Sequence, residues 1–120
     1  MDKNEAIIRR YVDELNGRNL AILDEVVAPS VIFGPNETLS REEYRQLIVG
    51  RIERLPGYHV TIDKASANGD EVSIQWTYRG RDQGTGEEVV GKAASAYRIV
   101  HGRIVEVRSL PEDASGERRI

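Results

Sequence analysis

The sequence predicts an α+β domain with its helices first and its strands after, and three observations support this. Apolar residues recur at helical spacing in three segments ahead of Leu55. From His59 onward apolar and polar residues alternate, with two-residue turn signals between the runs. The chain has 120 residues, is 39% hydrophobic and holds no long apolar run, which suits one domain over residues 1–111 with its own core.

Each element has a local cause. Asp2 with Glu5 three residues on is a helix start, and Ile7, Ile8, Tyr11, Val12 and Leu15 follow at helical spacing until Asn16 and Gly17. Asn19 opens a shorter helical pattern, Leu20, Leu23, Val26 and Val27, which stops at Ala28-Pro29. Val31 to Phe33 is a short apolar run closed by Gly34-Pro35-Asn36. Ser40 and Glu43 form a capping box ahead of Tyr44, Leu47, Ile48 and Ile52, and Leu55-Pro56-Gly57 ends that third helix. Gly50 inside it costs about 1 kcal/mol against Ala, which suggests a close packing contact. Asn68-Gly69 and His101-Gly102 read as tight hairpins and Gln83 to Gly86 as a longer turn, giving a meander of strands near 58–67, 71–82, 88–100 and 103–110. The polar residues 112–120 read as a frayed, flexible tail.

Charge and composition exclude several functions. With 17 basic and 20 acidic residues there is no electrostatic case for nucleic acid or an anionic membrane. The chain has no cysteine, hence no disulfide, thiolate nucleophile or Cys-ligated zinc. No cluster has metal-ligand spacing, and no glycine-rich segment has the strand-then-helix context of a phosphate cradle, so no metal and no cofactor is expected. The opening MDKNEAIIRR lacks the apolar core of a signal peptide, and a cytoplasmic protein is expected.

The order of elements, with the strings IIRRYVDELNGRNLAILDEVVAPSVIF and YRIVHGRIVEVR, resembles the NTF2-like superfamily, and within it the SnoaL-like and ketosteroid-isomerase-like branches. The resemblance implies an NTF2-like (cystatin-like) cone, three N-terminal helices packed on a curved antiparallel sheet around a blind pocket. One fold hosts unrelated reactions, so the site decides the function. Of the tyrosine, base and protonated acid of ketosteroid isomerase, the chain matches only the tyrosine, as Tyr11. Gly34 and Ser95 stand where the two acids would be. The pocket Asp and His typical of SnoaL-like cyclases find no good match: His101 sits in a turn, His59 at a strand start, and the loop DQGTGEE is short and has no His.

Strand alternation, combined with the resemblance, predicts the lining of the cone: Trp76 and Tyr78, then Ser95, Tyr97 and Ile99, then Val105, Val107 and Ser109, with Phe33 from the first strand. Such a wall suits a hydrophobic small molecule held by a few hydrogen bonds in a cavity of roughly 300 Å³ or more; the same residues could also simply fill a core. Tyr11 is the candidate donor to an oxyanion. Asp82 has inward parity and is the candidate proton carrier, although Asp is also favoured in turns. The opposite face carries Gln75, Thr77, Arg79, Ala94, Ala96, Arg98, Glu106 and Arg108, and is read as a homodimer interface, the alternative being a solvated face with ion pairs. Together with these residues, the resemblance to SnoaL-like enzymes implies acid-base cyclisation, isomerisation or dehydration of a polyketide- or terpenoid-like substrate. The alternatives are a non-catalytic binder or sensor and a dimerisation module.

Overall fold

The computed structural model describes residues 2–110 and, as backbone, residues 116–119. Helix α1 (Lys3–Asn16) starts where Asp2 Oδ1 accepts hydrogen bonds from the amides of Asn4 (2.8 Å) and Glu5 (3.1 Å). Helix α2 (Ile22–Val26) leads directly into strand β1 (Val27–Phe33), so Val27 and Ala28 are strand rather than helix. Pro29 sits where the pairing of β1 changes register, a position that needs no ladder N–H. Strand β2 (Glu37–Ser40), absent from the sequence reading, folds back on β1.

Helix α3 (Arg41–Arg54) carries the expected capping box, with Glu43 N donating to Ser40 Oγ (3.0 Å) and Ser40 N donating to Glu43 Oε1 (2.9 Å). Gly50 is exposed, and a side chain there would meet nothing within 4 Å, so no packing contact accounts for it.

The meander follows as β3 (His59–Asn68), β4 (Glu71–Arg81), β5 (Glu88–Val100) and β6 (Arg103–Leu110). The first hairpin turns at Gly69-Asp70, one residue later than the Asn-Gly signal, because Asn68 pairs with Glu71 and only Gly69 (φ 63°) needs the left-handed region. In the last hairpin His101 (φ 52°) and Gly102 (φ 78°) both take that region, which confirms the turn role of His101. The tail expected to fray forms a strand over Gly116–Arg119, β7, paired antiparallel with the Val89–Lys92 half of β5. It prolongs the β5 edge that β6 covers further on; residues 111–115 and 120 lie outside the described residues.

The curved, unclosed sheet has the order β2-β1-β6-β5-β4-β3, antiparallel except between β1 and β6. Two bulges bend it. On β3 the pairing steps from Ile62 with Trp76 to Lys64 with Gln75, leaving Asp63 as the extra residue. On β6 it steps from Ile104 with Ile99 to Glu106 with Arg98, leaving Val105 as the extra residue. The second bulge reverses parity, so Ile104 (0% exposed) faces the core and Val105, expected inside, is half-buried.

The helices fill the concave side of the sheet, and Ile8, Leu23, Val27, Val31, Val72 and Ile104 form a fully buried core beneath them. The end of α3 is tied to the end of β4: Arg81 N donates to Pro56 O (2.9 Å) and Gln83 N to Arg54 O (3.2 Å). Gly80 permits this approach, since a Cβ there would lie 2.7 Å from Leu55 Cβ. Asn16, at the end of α1, donates to Val60 O (2.8 Å) and accepts from Val60 N (2.9 Å), occupying the otherwise unpaired edge of β3.

Candidate functional site

The inner faces of α1, α3 and β3 to β5 converge on two adjoining hollows. The first, about 40 Å³, is walled by Tyr11, Val12 and Leu15 of α1, Ile48, Arg51 and Ile52 of α3, then Tyr58, Val60, Ile74, Trp76 and Tyr97. The second, about 170 Å³, is bordered by Phe33, Tyr44, Ser95, Val107 and Ser109 among others. Arg51, Trp76 and Tyr97 belong to both walls, so they form the partition between the two. Neither hollow reaches the 300 Å³ expected of a drug-sized ligand, because aromatic rings occupy much of the concave side.

The rings pack edge to face. Tyr11 meets Tyr97 at 6.1 Å and 69°, and Phe33 meets Tyr44 at 6.2 Å and 61°. Tyr11 (3% exposed) and Tyr44 (3%) share a hydrogen bond of 2.6 Å between their hydroxyls, in which either can donate. Trp76 Nε1 donates to Ser95 Oγ (3.1 Å), which ties the indole to β5.

Burial sets the ionisation of these phenols. Burial is the largest cause that pushes Tyr11 well above the ordinary phenol value, with the neighbouring Tyr44 phenol adding to it. Burial raises Tyr44 as well, and its hydrogen bond with Tyr11 opposes that shift. Burial also raises Tyr58 and Tyr97, and in both the Arg51 guanidinium opposes the shift. At neutral pH the site therefore presents neutral hydrogen-bond donors rather than bases.

The structure brings together most of the residues expected in the lining: Tyr11, Phe33, Trp76, Ser95, Tyr97, Val107 and Ser109, the last on an exposed rim. Tyr78 lines neither hollow. It stacks between Trp76 (5.7 Å) and Tyr58 (6.1 Å), with its ring over the α-carbon of its cross-strand partner Gly91. It thus supports the wall from behind.

Asp82 is also outside the cavity lining. Its Oδ1 accepts from the amides of Gly84 (2.8 Å) and Thr85 (3.0 Å), and its carbonyl accepts from Gly86 N (2.8 Å). The strand ends at Arg81, so alternation no longer governs the next residue, and the carboxylate organises its own loop. His59 and His101 are exposed and line neither hollow.

Tyr44, Arg51 and Tyr58 were missed by the alternation argument because none of them is on a strand. Helical spacing held a signal for two of them, since Tyr44, Ile48 and Arg51 follow one another at offsets of four and three along α3. No Asp, Glu or His is among the described residues lining either hollow. Among the described residues no group of three or more His, Cys, Asp or Glu could hold a metal ion, and no helix is long and apolar enough to cross a membrane.

Comparison with known proteins places this geometry. A family model described as a SnoaL-like domain matches residues 8–107. A SnoaL-like polyketide cyclase from Agrobacterium tumefaciens strain C58 superposes with a TM-score of 0.84 at 16% identity, covering 96% of this chain and 95% of that one. An NTF2-like protein of unknown function from Burkholderia pseudomallei K96243 gives 0.79 at 18% identity, over 93% of this chain and 92% of the other. A protein with a ketosteroid isomerase-like fold from Catenulispora acidiphila, in complex with trimethylamine, gives 0.73 at 22% identity, over 91% and 87%. At these identities the structural likeness establishes the fold alone. No curated protein matches the chain in sequence.

Proposed function

This chain belongs to the SnoaL-like domain family, and from that premise we propose that it takes a compact, largely apolar molecule into the cavity and holds a carbonyl or enolate oxygen of that molecule on the Tyr11–Tyr44 hydroxyl pair. The observation that carries this reading is the buried 2.6 Å contact between those hydroxyls, in a wall that is apolar or aromatic apart from Arg51, Lys92, Ser95 and Ser109. One phenol donates to the other, and the remaining proton is available to a guest. A donor fixed in an apolar surround stabilises developing negative charge far better than one in water.

The chemistry this supports is electrophilic: polarising a carbonyl so that the adjacent carbon gives up a proton more readily. Water or a group on the substrate would have to accept that proton, because no described carboxylate or imidazole borders the hollows. Asp82, engaged with its loop, is not needed in that scheme. Family membership favours a cyclisation, isomerisation or dehydration, whereas the missing carboxylate favours a binder or sensor. The small volumes favour a single-ring guest over a polycyclic polyketide.

The outer sheet face is proposed as a homodimer surface, with one physical qualification. Arg98 is paired with Glu106 (3.0 Å), and Arg108 with Glu71 (2.5 Å), so its charges are already largely balanced within one chain.

Carbonyl-labelled acetophenone tests the site. Saturable binding with its infrared carbonyl stretch moved to lower frequency than in water, and moved less in Tyr11→Phe, is the expected result. Binding with an unchanged stretch in both proteins would remove the phenol pair from the function.

A further inference from the structure

Arg51 is the feature of the cavity that an apolar guest with one carbonyl does not use. It belongs to both walls, at the partition between the hollows, where Trp76 and Tyr97 also meet. Three other helix arginines are engaged by carboxylates: Arg9 with Glu5 (3.0 Å), Arg10 with Glu25 (2.7 Å), and Arg45 with Asp24 (2.6 Å) and Glu42 (3.1 Å). Arg51 forms no ion pair with any described carboxylate, and its side-chain hydrogen-bond partner is the Tyr58 phenol. Its guanidinium is close enough to reach electrostatically all four cavity phenols, Tyr11, Tyr44, Tyr58 and Tyr97.

A guanidinium beside an apolar cavity, unmatched by a carboxylate among the described residues, is a recognition group for an anion brought by the ligand. Its planar fork offers two parallel donors, which match the two oxygens of a carboxylate. The charge count also limits the anion. Lys92 borders the second hollow, but its ammonium is engaged on the outer face, 3.2 Å from Thr77 Oγ1 and 3.9 Å from Asp63 Oδ2. One positive charge therefore faces the cavity, which suits a monoanion. A phosphate dianion would bring more negative charge than the single guanidinium balances.

We infer that the pocket selects a compact hydrophobic monocarboxylate, with its carboxylate on the Arg51 guanidinium at the partition and its apolar body against Trp76 and Tyr97. This rests on the pocket reading above and specifies the substrate class for the same site. A ligand that also carries a carbonyl would reach the Tyr11–Tyr44 pair with its other end.

Trp76 is the chain's only tryptophan and lies in both walls, so its emission reports occupancy directly. The full chain is titrated with benzoate and, separately, with benzyl alcohol, which has the same ring and no charge. Benzoate is expected to bind about tenfold or more tighter than benzyl alcohol, and Arg51→Gln to abolish that preference while changing benzyl alcohol affinity less than about twofold. Arg51→Lys, which keeps the charge without the fork, should fall between. Circular dichroism melts confirm that the variants are folded, as expected for a side chain this exposed. Equal affinity for the two molecules, or an equal loss of both in Arg51→Gln, overturns the carboxylate assignment and leaves the pocket reading standing. If neither molecule produces a saturable change in Trp76 emission, the pocket reading itself fails and this inference falls with it.

Discussion

The hydroxyls of Tyr11 and Tyr44 meet at 2.6 Å between α1 and α3, each phenol buried and each the other's partner. Removing one oxygen leaves the other hydroxyl without that bond in a place water scarcely reaches. Tyr11→Phe is therefore expected to cost about 1–3 kcal/mol of stability, and Tyr44→Phe a similar amount. The double Phe variant should cost clearly less than the sum, because it leaves no orphaned hydroxyl. Urea unfolding of the four proteins measures the cycle, and strict additivity would mean that the two phenols do not depend on each other.

The same burial predicts an alkaline limit. The folded values of Tyr11, Tyr44, Tyr58 and Tyr97 all lie above the ordinary phenol value of 10.0. Above pH 10 the unfolded chain loses these protons while the native chain keeps them, so stability falls as pH rises. The contribution is fully present below pH 10 and declines above it by up to about 1.4 kcal/mol per pH unit for each such tyrosine. Urea melts between pH 8 and 11 check this; a flat profile across pH 10 would show that the phenols are solvated.

Gly91 and Tyr78 make a second pair. The Tyr78 ring lies where a Cβ of Gly91 would be, so Gly91→Ala forces the ring out of its place between Trp76 and Tyr58. A loss of about 1–3 kcal/mol is expected from overpacking. It should be smaller when measured in a Tyr78→Ala background. Thermal melts of the single and double variants decide it, and an unchanged melt for Gly91→Ala would contradict the packing.

Asp82→Ala is expected to lower stability by about 1 kcal/mol through loss of its bonds to Gly84 and Thr85. Benzyl alcohol affinity should stay the same. A large loss of affinity with no change in melting would restore Asp82 to the site.

Much of the fold was legible because its signals are local. Asp2, the Ser40 and Glu43 box and the His101-Gly102 turn each fix a boundary through their own chemistry. Alternation likewise placed Trp76, Ser95 and Tyr97 on one face, since β4 and β5 pair without a slip from Glu71 with Arg98 to Arg81 with Glu88. It failed at Val105, where a bulge reverses the face, and at Asp82, just past the strand end. Strand β2 is four residues long and carries one buried residue, Leu39, too little to register as a pattern. Arg51 was passed over because a charged residue among helical polar positions looks solvated, and only the tertiary approach of β4 and β5 turns it toward a cavity.

Whether a guest enters between Tyr11 and Trp76 is the claim on which the rest depends, and amide-resolved nuclear magnetic resonance during a benzyl alcohol titration tests it most directly. Saturable shifts confined to the surroundings of Tyr11, Arg51, Trp76 and Tyr97 are predicted. Shifts that grow linearly without saturating and scatter over the outer face would contradict it, and would mean that the rings close the interior to any ligand.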